Sequence, residues 1–226
     1  MCIYVFPGKD KGNLFRKMFT FPTDIYTTSM KKIRLRLYYF FTYPVYKLCL
    51  GSIGSRSRLV KATIDGHKRI FIGNKVYINT GGWLACEPLT GDTNARLHIG
   101  DGTYIGRFCH IYATSKIEVG HKVLMADNVY LSDNLHGHAD ITQPVIAQPV
   151  QQINPVIIGD GAWLGENVCV IGASVGKNSV IGANSVVTKD IPDYCVAVGA
   201  PAVIIKRYNF ETKQWCKTDK LGNFLS

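Results

Sequence analysis

The sequence predicts an all-β protein, built as a solenoid, with a mostly helical arm before it and one long extruded loop. The first observation is a six-residue repeat between Val156 and Pro192, in which one unit, residues 158–163, reads Ile-Gly-Asp-Gly-Ala-Trp. The second is the even period, which places the first, third and fifth residues of a unit on one strand face. The third is composition, because an aliphatic first residue and a small or β-branched fifth residue suit a narrow interior. Short fixed repeats of this kind are typical of β-solenoids.

The repeat resembles that of the hexapeptide-repeat acyltransferases, and the closing run from Val187 to Pro192 resembles theirs as well. The resemblance covers roughly residues 60–207. It implies a left-handed parallel β-helix in which three repeat units make one coil, and it implies an acyltransferase activity.

The upstream repeat fits three units per coil. Inward-pointing unit starts recur in triplets: Ile72, Ile78, Leu84; Ile99, Ile105, Ile111; Val119, Met125, Leu131; Ile158, Leu164, Val170; and Val175, Ile181, Val187. Starts within a triplet are six residues apart, whereas the triplets are separated by 15, 8, 27 and 5 residues. Every irregularity therefore follows a third unit. This spacing predicts about five coils, with a loop near 85–98 and a longer loop at 136–157 leaving one corner.

We expect three regions along the chain: an N-terminal arm with short helices at 1–58, the β-helix acyltransferase domain at 59–207, and a C-terminal tail at 208–226. Within the arm, we expect the backbone of residues 1–29 to be irregular. The segment 30–50 predicts one or two helices with a break near Pro44. Basic residues beside aromatic ones in this segment suit a membrane surface. The alternative is a helix that packs against the prism.

The composition restricts which classes of partner and which cellular compartment suit this chain. The chain carries 26 Lys and Arg against 16 Asp and Glu, a net charge of +10, which suits an anionic membrane, an acidic glycan or a polyphosphate cofactor. No nucleic-acid motif is visible, so we expect no nucleic acid partner. Seven cysteines without a CxxC pair indicate reduced thiols. With no signal peptide visible, we expect a cytoplasmic protein, at most peripheral at the inner face of the membrane.

Two histidines mark the mouth of the longer loop. A neutral imidazole can accept a proton near neutral pH, so His136 and His138 are candidates for a general base. In the maltose- and galactoside-type acetyltransferases that this chain resembles, the base follows an aliphatic unit start by five residues, as His136 follows Leu131. Polysaccharide O-acetyltransferases of this superfamily carry Asp-His-Asn-His-Gly here, where this chain has Asp-Asn-Leu-His-Gly at 133–137. The resemblance implies His136 as the base, Asp133 as its orienter or an acceptor contact, and His138 as an acceptor contact.

The same resemblance implies acetyl-coenzyme A as the acyl donor, bound along the coils with lysines on its phosphates. The matching positions are Trp163, Gly165, Glu166, Ala183, Thr188, Lys189 and Lys206. The galactoside and maltose enzymes have an acceptor-binding Asn at the ungapped position of Gly106, so we do not transfer their substrate. We expect no metal, and we expect direct transfer because no Ser or Cys is paired with a base by any visible signal.

The predicted function is acetyl-coenzyme A-dependent O-acetylation of a sugar hydroxyl in surface polysaccharide biosynthesis by a homotrimer. Two alternatives stay open: N-acetylation of an amino sugar or nucleotide sugar, and a non-catalytic β-helix scaffold. A zinc carbonic anhydrase on a similar prism needs two histidines five residues apart, and no two of the six histidines here are so spaced.

Overall fold

The structure, a computed structural model, describes residues 23–225. By its internal contacts the chain divides into two units, 1–42 and 43–226. The expectation for residues 1–22 lies outside the described residues.

One long helix, α1 (Thr23–Cys49), takes the place of the short helices expected in the arm. It continues through Pro44, so the predicted break there is wrong, as is the irregular structure predicted for 23–29. Proline removes one hydrogen bond from a helix and bends it, but need not end it. No helix in the described range combines the length and the apolar character that crossing a bilayer requires.

The rest of the chain is built almost entirely from short strands, joined by tight turns. In chain order they are β1 (Ser52–Ile53), β2 (Arg58–Leu59), β3 (Thr63–Asp65), β4 (Ile70–Ile72), β5 (Tyr77–Ile78), β6 (Trp83–Cys86), β7 (Arg96–Ile99), β8 (Tyr104–Ile105), β9 (His110–Ala113), β10 (Lys116–Val119), β11 (Leu124–Met125), β12 (Tyr130–Ser132), β13 (Asn134–His136), β14 (Val150–Gln152), β15 (Val156–Ile158), β16 (Trp163–Leu164), β17 (Cys169–Ile171), β18 (Val180–Ile181), β19 (Val186–Val187), β20 (Cys195–Val198), β21 (Val203–Asn209) and β22 (Gln214–Lys217). Two 3₁₀ turns, His67–Arg69 and Val145–Ala147, complete the set.

Apart from β13 and β14, which form a separate two-stranded sheet, these strands form three mainly parallel sheets that the chain visits in rotation. The first sheet has the order β1-β4-β7-β10-β15, and the third has β3-β6-β9-β12-β17-β19 in spatial sequence. The second runs β2-β5-β8-β11-β16-β18-β20 and ends in the antiparallel pair β21-β22. Because each strand pairs with the strand three places along the coil path, the chain winds as a parallel β-helix whose walls are the three sheets.

The interior is the stack of aliphatic side chains that the repeat predicts. All the predicted unit starts from Ile72 to Val187 are at most 2% exposed. The fifth positions of the first and second units of each coil are buried too, including Cys109 at 1%. Burying apolar surface contributes about 25 cal/mol per Å², so this continuous stack is the main stabilising term.

Both ends of the β-helix extend beyond the predicted boundaries. At the N-terminal end, β1, β2 and β3 pair with β4, β5 and β6, so the sheets begin at Ser52 rather than at residue 59. Their inward residues Ile53, Leu59 and Ile64 are six and then five residues apart, and the shorter step interrupts the six-residue count. At the C-terminal end, β21 runs across the expected boundary at 207 and forms a hairpin with β22 in the region predicted as a tail.

Aspartates at the corners tie one coil to the next. Each accepts a hydrogen bond from a backbone N–H of the preceding coil, at 2.7 Å in all cases: Asp101 from Asn74, Asp127 from Arg107, Asp160 from His121, Asp190 from Ser174, and Asp193 from Lys177. Turn N–H groups lack sheet partners, so these carboxylates satisfy donors that the fold leaves free.

Candidate active site

Both loops predicted from the spacing leave the same corner. The shorter one, 87–95, joins β6 to β7, and the longer one, 133–155, joins β12 to β15. Each therefore leaves a strand of the third sheet and returns to a strand of the first, as the sequence predicts.

A short hairpin forms the base of the longer loop and carries His136. Strand β13 pairs antiparallel with β14, and His136 lies opposite Val150. Beyond it, the N–H of Gly137 donates to the carbonyl of Pro149 at 3.0 Å. A Cβ on Gly137 would lie 2.6 Å from that carbonyl oxygen, so the close approach requires glycine. His136 is thus solvent-exposed at the end of an ordered strand.

His138 is exposed as well and folds back towards the hairpin. Its Nδ1 lies 3.1 Å from the backbone carbonyl of His136. The structure therefore brings the two predicted histidines to one place, with the His136 ring exposed.

Asp133 does not have the position that the sequence predicts for it. Its carboxylate is fully buried and accepts hydrogen bonds from the backbone N–H groups of Thr114, Ser115 and Lys116 at 2.8, 2.8 and 2.6 Å. The Asn134 amide donates one more at 3.1 Å, and the Thr114 hydroxyl oxygen lies 3.1 Å from the same carboxylate oxygen. These donors use the acceptor capacity of both oxygens. The expectation that Asp133 orients the histidine ring or binds an acceptor is therefore wrong.

The predicted donor-binding residues fall into two groups within one protomer. Trp163 is 49% exposed on the outer face of the second sheet. The strand register continues from it through Val180 and Val196 to Lys206. Gly165 and Glu166 lie at the corner after this sheet, directly beside Ala183 and Asn184 of the next coil: a Cβ on Gly165 would lie 2.6 Å from the Ala183 nitrogen, and the Asn184 N–H donates to the Glu166 carbonyl at 2.8 Å.

The second group is Thr188 and Lys189, which follow β19 at the corner that also carries the two loops. They line a groove together with Asp190, Ile191, Pro192, Pro201, Ala202, Val203, Ile204, Lys220 and Leu221. Thr188 and Lys189 therefore lie at a different corner from Gly165 and Ala183, whereas Val203 and Ile204 of the groove belong to β21, the strand that carries Lys206.

The position matched to the acceptor-binding Asn of the galactoside enzymes has no room for a side chain. A Cβ on Gly106 would lie 2.4 Å from the carbonyl oxygen of Ala126. The neighbouring Arg107 is held by Asp127 through its Nε and NH2 at 2.8 and 2.6 Å. Phe108 is 60% exposed, so its ring is accessible at this turn, as is the Arg107 side chain at 59%.

An aromatic surface on the third sheet was missed by the sequence interpretation; we define it as Trp83, His110, Tyr112 and Tyr130. The Trp83 ring stacks on His110 with centroids 4.2 Å apart, and Tyr130 meets His110 edge-on at 5.2 Å. Burial lowers the pKa of His110, whereas burial and then Glu87 raise the pKa of Tyr112 to about 12. The sequence did carry a signal for this surface. Trp83, His110 and Tyr130 each directly precede an inward unit start, so their side chains lie on the outer face of the strand.

Comparison with known proteins agrees with this architecture. Residues 155–189 match the protein family described as "Hexapeptide repeat of succinyl-transferase". The chain is 40% identical over 124 residues to WbbJ of Escherichia coli K12, a protein named for O-acetyl transfer in lipopolysaccharide biosynthesis. That match covers 52% of this chain and 63% of WbbJ, so the chain spans less than two thirds of that relative.

A second relative and one solved structure extend the comparison. Galactoside O-acetyltransferase of Lactococcus lactis is 33% identical over 159 residues, which cover 69% of this chain and 70% of that enzyme. The N-acyltransferase AntD from Bacillus cereus, solved with dTDP and 3-hydroxybutyryl-CoA, has the same fold with a TM-score of 0.62 at 20% identity, over 76% of this chain and 90% of AntD. Identity to the galactoside enzyme over most of its length, together with the repeat on three parallel sheets, shows that this chain belongs to the hexapeptide-repeat acyltransferase family.

Proposed function

We propose that this protein transfers an acetyl group from acetyl-coenzyme A to a hydroxyl group of a sugar, with His136 as the general base. The observation that carries the proposal is the exposed imidazole of His136 at the end of the loop hairpin, five residues after the inward Leu131. An exposed imidazole on a short, hydrogen-bonded strand is accessible to substrate and is held in place by its backbone.

The transfer proceeds in one covalent exchange. His136 takes the proton of the acceptor hydroxyl as its oxygen attacks the thioester carbonyl carbon. The carbon–sulfur bond then breaks, and the imidazolium returns its proton to the coenzyme A thiolate, so the base is regenerated. A backbone N–H of a neighbouring coil stabilises the oxyanion of the tetrahedral intermediate, a term that mutagenesis often finds large.

No acyl-enzyme is part of this mechanism. Burial raises the pKa of Cys86 and Cys109 to about 11 and also raises the pKa of Cys195. Thiols in that state are poor nucleophiles near neutral pH. Direct attack by the acceptor needs no cysteine at all.

The donor lies against both groups of residues described above. Trp163, Gly165, Glu166, Ala183 and Lys206 line one side of its groove, and Thr188 and Lys189 meet it from the other side. Because Thr188 and Lys189 lie at a different corner of the β-helix from Gly165 and Ala183, we propose that adjacent copies supply one group each. A C3 homotrimer of left-handed β-helices provides that arrangement, with the segment up to Cys49 as its arm and the β-helix from Ser52 onwards as the domain that binds the donor. A monomer in light scattering at micromolar protein would contradict it.

The acceptor is a sugar or glycan of surface polysaccharide biosynthesis. The name of WbbJ and that of the galactoside enzyme support this class. His138, adjacent to the base, contacts the acceptor. Gly106 leaves no room for the Asn that the galactoside enzymes have at this position. The acceptor pocket therefore differs from theirs, and we do not propose their galactoside substrate for this protein.

The protein works in the cytoplasm, with α1 at the inner face of the membrane. Several large apolar side chains of this helix are exposed: Ile33, Leu37, Phe40, Phe41, Val45 and Leu48. Apolar residues interleaved with basic ones suit an anionic bilayer surface. Flotation with anionic and neutral vesicles tests this, and equal absence of binding to both would remove the membrane from the proposal.

The function is tested by coenzyme A release across sugars, amino sugars, nucleotide sugars and oligosaccharides. We expect turnover with a hydroxyl acceptor, and His136→Ala should lower it by about 10²–10⁴-fold. His138→Ala, the matched neighbour, should lower it much less. Turnover only with amino sugars would make the protein an N-acetyltransferase. A wild-type rate in both variants would eliminate both histidines as the general base, whereas no turnover by the wild type with any acceptor would favour a scaffold.

A further inference from the structure

We propose that Asp133 and Gln152 position the base: together they fix the hairpin that carries His136, and the shorter loop braces it through Thr90. The inference rests on the proposed role of His136, and it assigns two residues that do not touch substrate.

Asp133 accepts hydrogen bonds from more backbone N–H groups than the other corner aspartates do. Asp101 and the other corner aspartates each accept one backbone N–H from the preceding coil, whereas Asp133 accepts three consecutive ones at 114–116. It is also fully buried. The extra hydrogen bonds occur at the one corner where the chain leaves the β-helix to form the hairpin.

Gln152 holds the other strand of the hairpin to the same point. It lies opposite Asn134 in the register, and its Nε2 donates to the Asp133 carbonyl at 2.6 Å. Its Oε1 accepts from the hydroxyls of Thr90 and Thr114, at 2.8 Å each. One side chain therefore joins the longer loop, the shorter loop and the turn of the preceding coil.

The residues directly before His136 are fixed in addition by buried contacts. Asn134 is 7% exposed, and its amide donates to the Tyr112 carbonyl at 3.2 Å. In contrast, Ile141 and Ile146 beyond the hairpin are 97% and 91% exposed. His136 thus lies where the anchored base of the loop ends and the solvent-exposed part begins, so the anchor determines where its ring can be.

The consequence is kinetic. Misplacing a reacting group by about 1 Å can cost roughly 10²-fold in rate, and precise sites depend on a supporting shell of hydrogen bonds. We call the hydrogen bonds made by Asp133 and Gln152 the anchor of the hairpin. Weakening this anchor should lower kcat and leave donor binding, which uses other coils, unchanged.

Two matched Asp→Asn variants test the idea. Asn retains one carbonyl oxygen, which satisfies the single backbone N–H that Asp160 accepts from His121 but not the three N–H groups at Asp133. We expect Asp133→Asn to lower kcat by about 10–100-fold, with the KM for acetyl-coenzyme A unchanged, and Asp160→Asn to leave both near wild type. Gln152→Ala removes an exposed side chain, so it should fold and still lower kcat. Amide hydrogen exchange at 134–137 and 150–152 should speed up in both anchor variants.

The outcomes separate this inference from the proposed function. If His136→Ala abolishes turnover while Gln152→Ala and Asp133→Asn keep wild-type kcat, the positioning role is wrong and the base assignment stands. If exchange at the hairpin is also unchanged, the anchor itself is refuted. If His136→Ala is fully active, the proposed function fails, and hydrogen exchange still reports whether the anchor holds the loop.

Discussion

Lys206 lies directly across the antiparallel pair β21–β22 from Lys217, so two cationic side chains share one face of the hairpin. Directly opposed side chains have Cβ atoms about 4.5–5.5 Å apart, and like charges there are destabilising. Neither lysine belongs to an ion pair within the described part of the chain. A polyanionic donor bound at Lys206 would relieve this repulsion.

Replacing Lys206 by Gln should therefore weaken donor binding and at the same time stabilise the folded protein. Loss of a charge-assisted phosphate contact should weaken acetyl-coenzyme A binding by about 1–2 kcal/mol, while relief of repulsion should raise the free energy of unfolding by a few tenths of a kcal/mol. Titration calorimetry and urea unfolding measure the two effects. Lys217→Gln relieves the same repulsion and is the control for stability. Wild-type donor affinity in Lys206→Gln would remove that residue from the donor site.

Lys189→Ala tests the second group of donor residues. Lys189 lines the groove at the loop corner, and a direct phosphate contact would make the substitution cost about 1–2 kcal/mol of acetyl-coenzyme A affinity. If the contact is to the 3′-phosphate, dephospho-coenzyme A should lose less affinity on mutation. Lys47→Ala, on the exposed side of α1, controls for the loss of one positive charge. Equal effects of the two substitutions would mean that only the net charge matters.

The repeat predicted the interior and the loop corner because both follow from counting along the chain. Every inward unit start from Ile72 to Val187 is buried, and both loops leave one corner. Counting along the chain does not show which group of another coil a side chain will contact. Asp133 is two places from a unit start, but its donors lie 17 to 19 residues earlier. The sequence therefore located the loop correctly and misassigned this carboxylate.

Thiol reactivity should divide the cysteines by burial. Burial raises the pKa of Cys86 and Cys109 to about 11, so only about one thiol in a thousand is ionised at pH 8. Cys169 and Cys216 are partly exposed. Iodoacetamide at pH 8, followed by peptide mass spectrometry, should label the latter pair first and the former pair only after denaturation. Rapid labelling of Cys109 in the native protein would contradict its burial.

Phe108 has a backbone conformation that disfavours it. Its φ is 55°, and the same turn position in the next three coils is Asn128, Asn167 and Asn184, with φ of 59°, 58° and 60°. Asn tolerates this left-handed region, whereas a bulky residue there is an outlier. Because the ring is 60% exposed, Phe108→Asn should lose little packing and raise the free energy of unfolding by about 0.5–1 kcal/mol.

The same variant also shows whether the ring serves the acceptor. If Phe108 contacts the sugar, Phe108→Asn should raise the acceptor KM while the KM for acetyl-coenzyme A stays constant. Urea unfolding and steady-state kinetics on one preparation give both answers. Lower stability together with unchanged kinetics would mean that the ring is retained for packing.

His110 should make the stability of the protein depend on pH. Its Nε2 is buried without a hydrogen-bond partner, its ring stacks on Trp83, and burial lowers its pKa below the usual 6.5. Since the folded protein disfavours the protonated ring, the contribution of neutral His110 to stability is complete above pH 6.5 and is lost as the pH falls from 6.5 towards the folded pKa.

His110→Phe keeps an aromatic ring against Trp83 but removes the titration. The variant should therefore gain free energy of unfolding relative to the wild type at pH 5.5, and gain less or nothing at pH 8. Urea unfolding of both proteins at the two pH values measures the difference, in which all other titrating groups cancel. An equal loss of stability in both proteins between pH 8 and 5.5 would show that burial of this imidazole is not the cause.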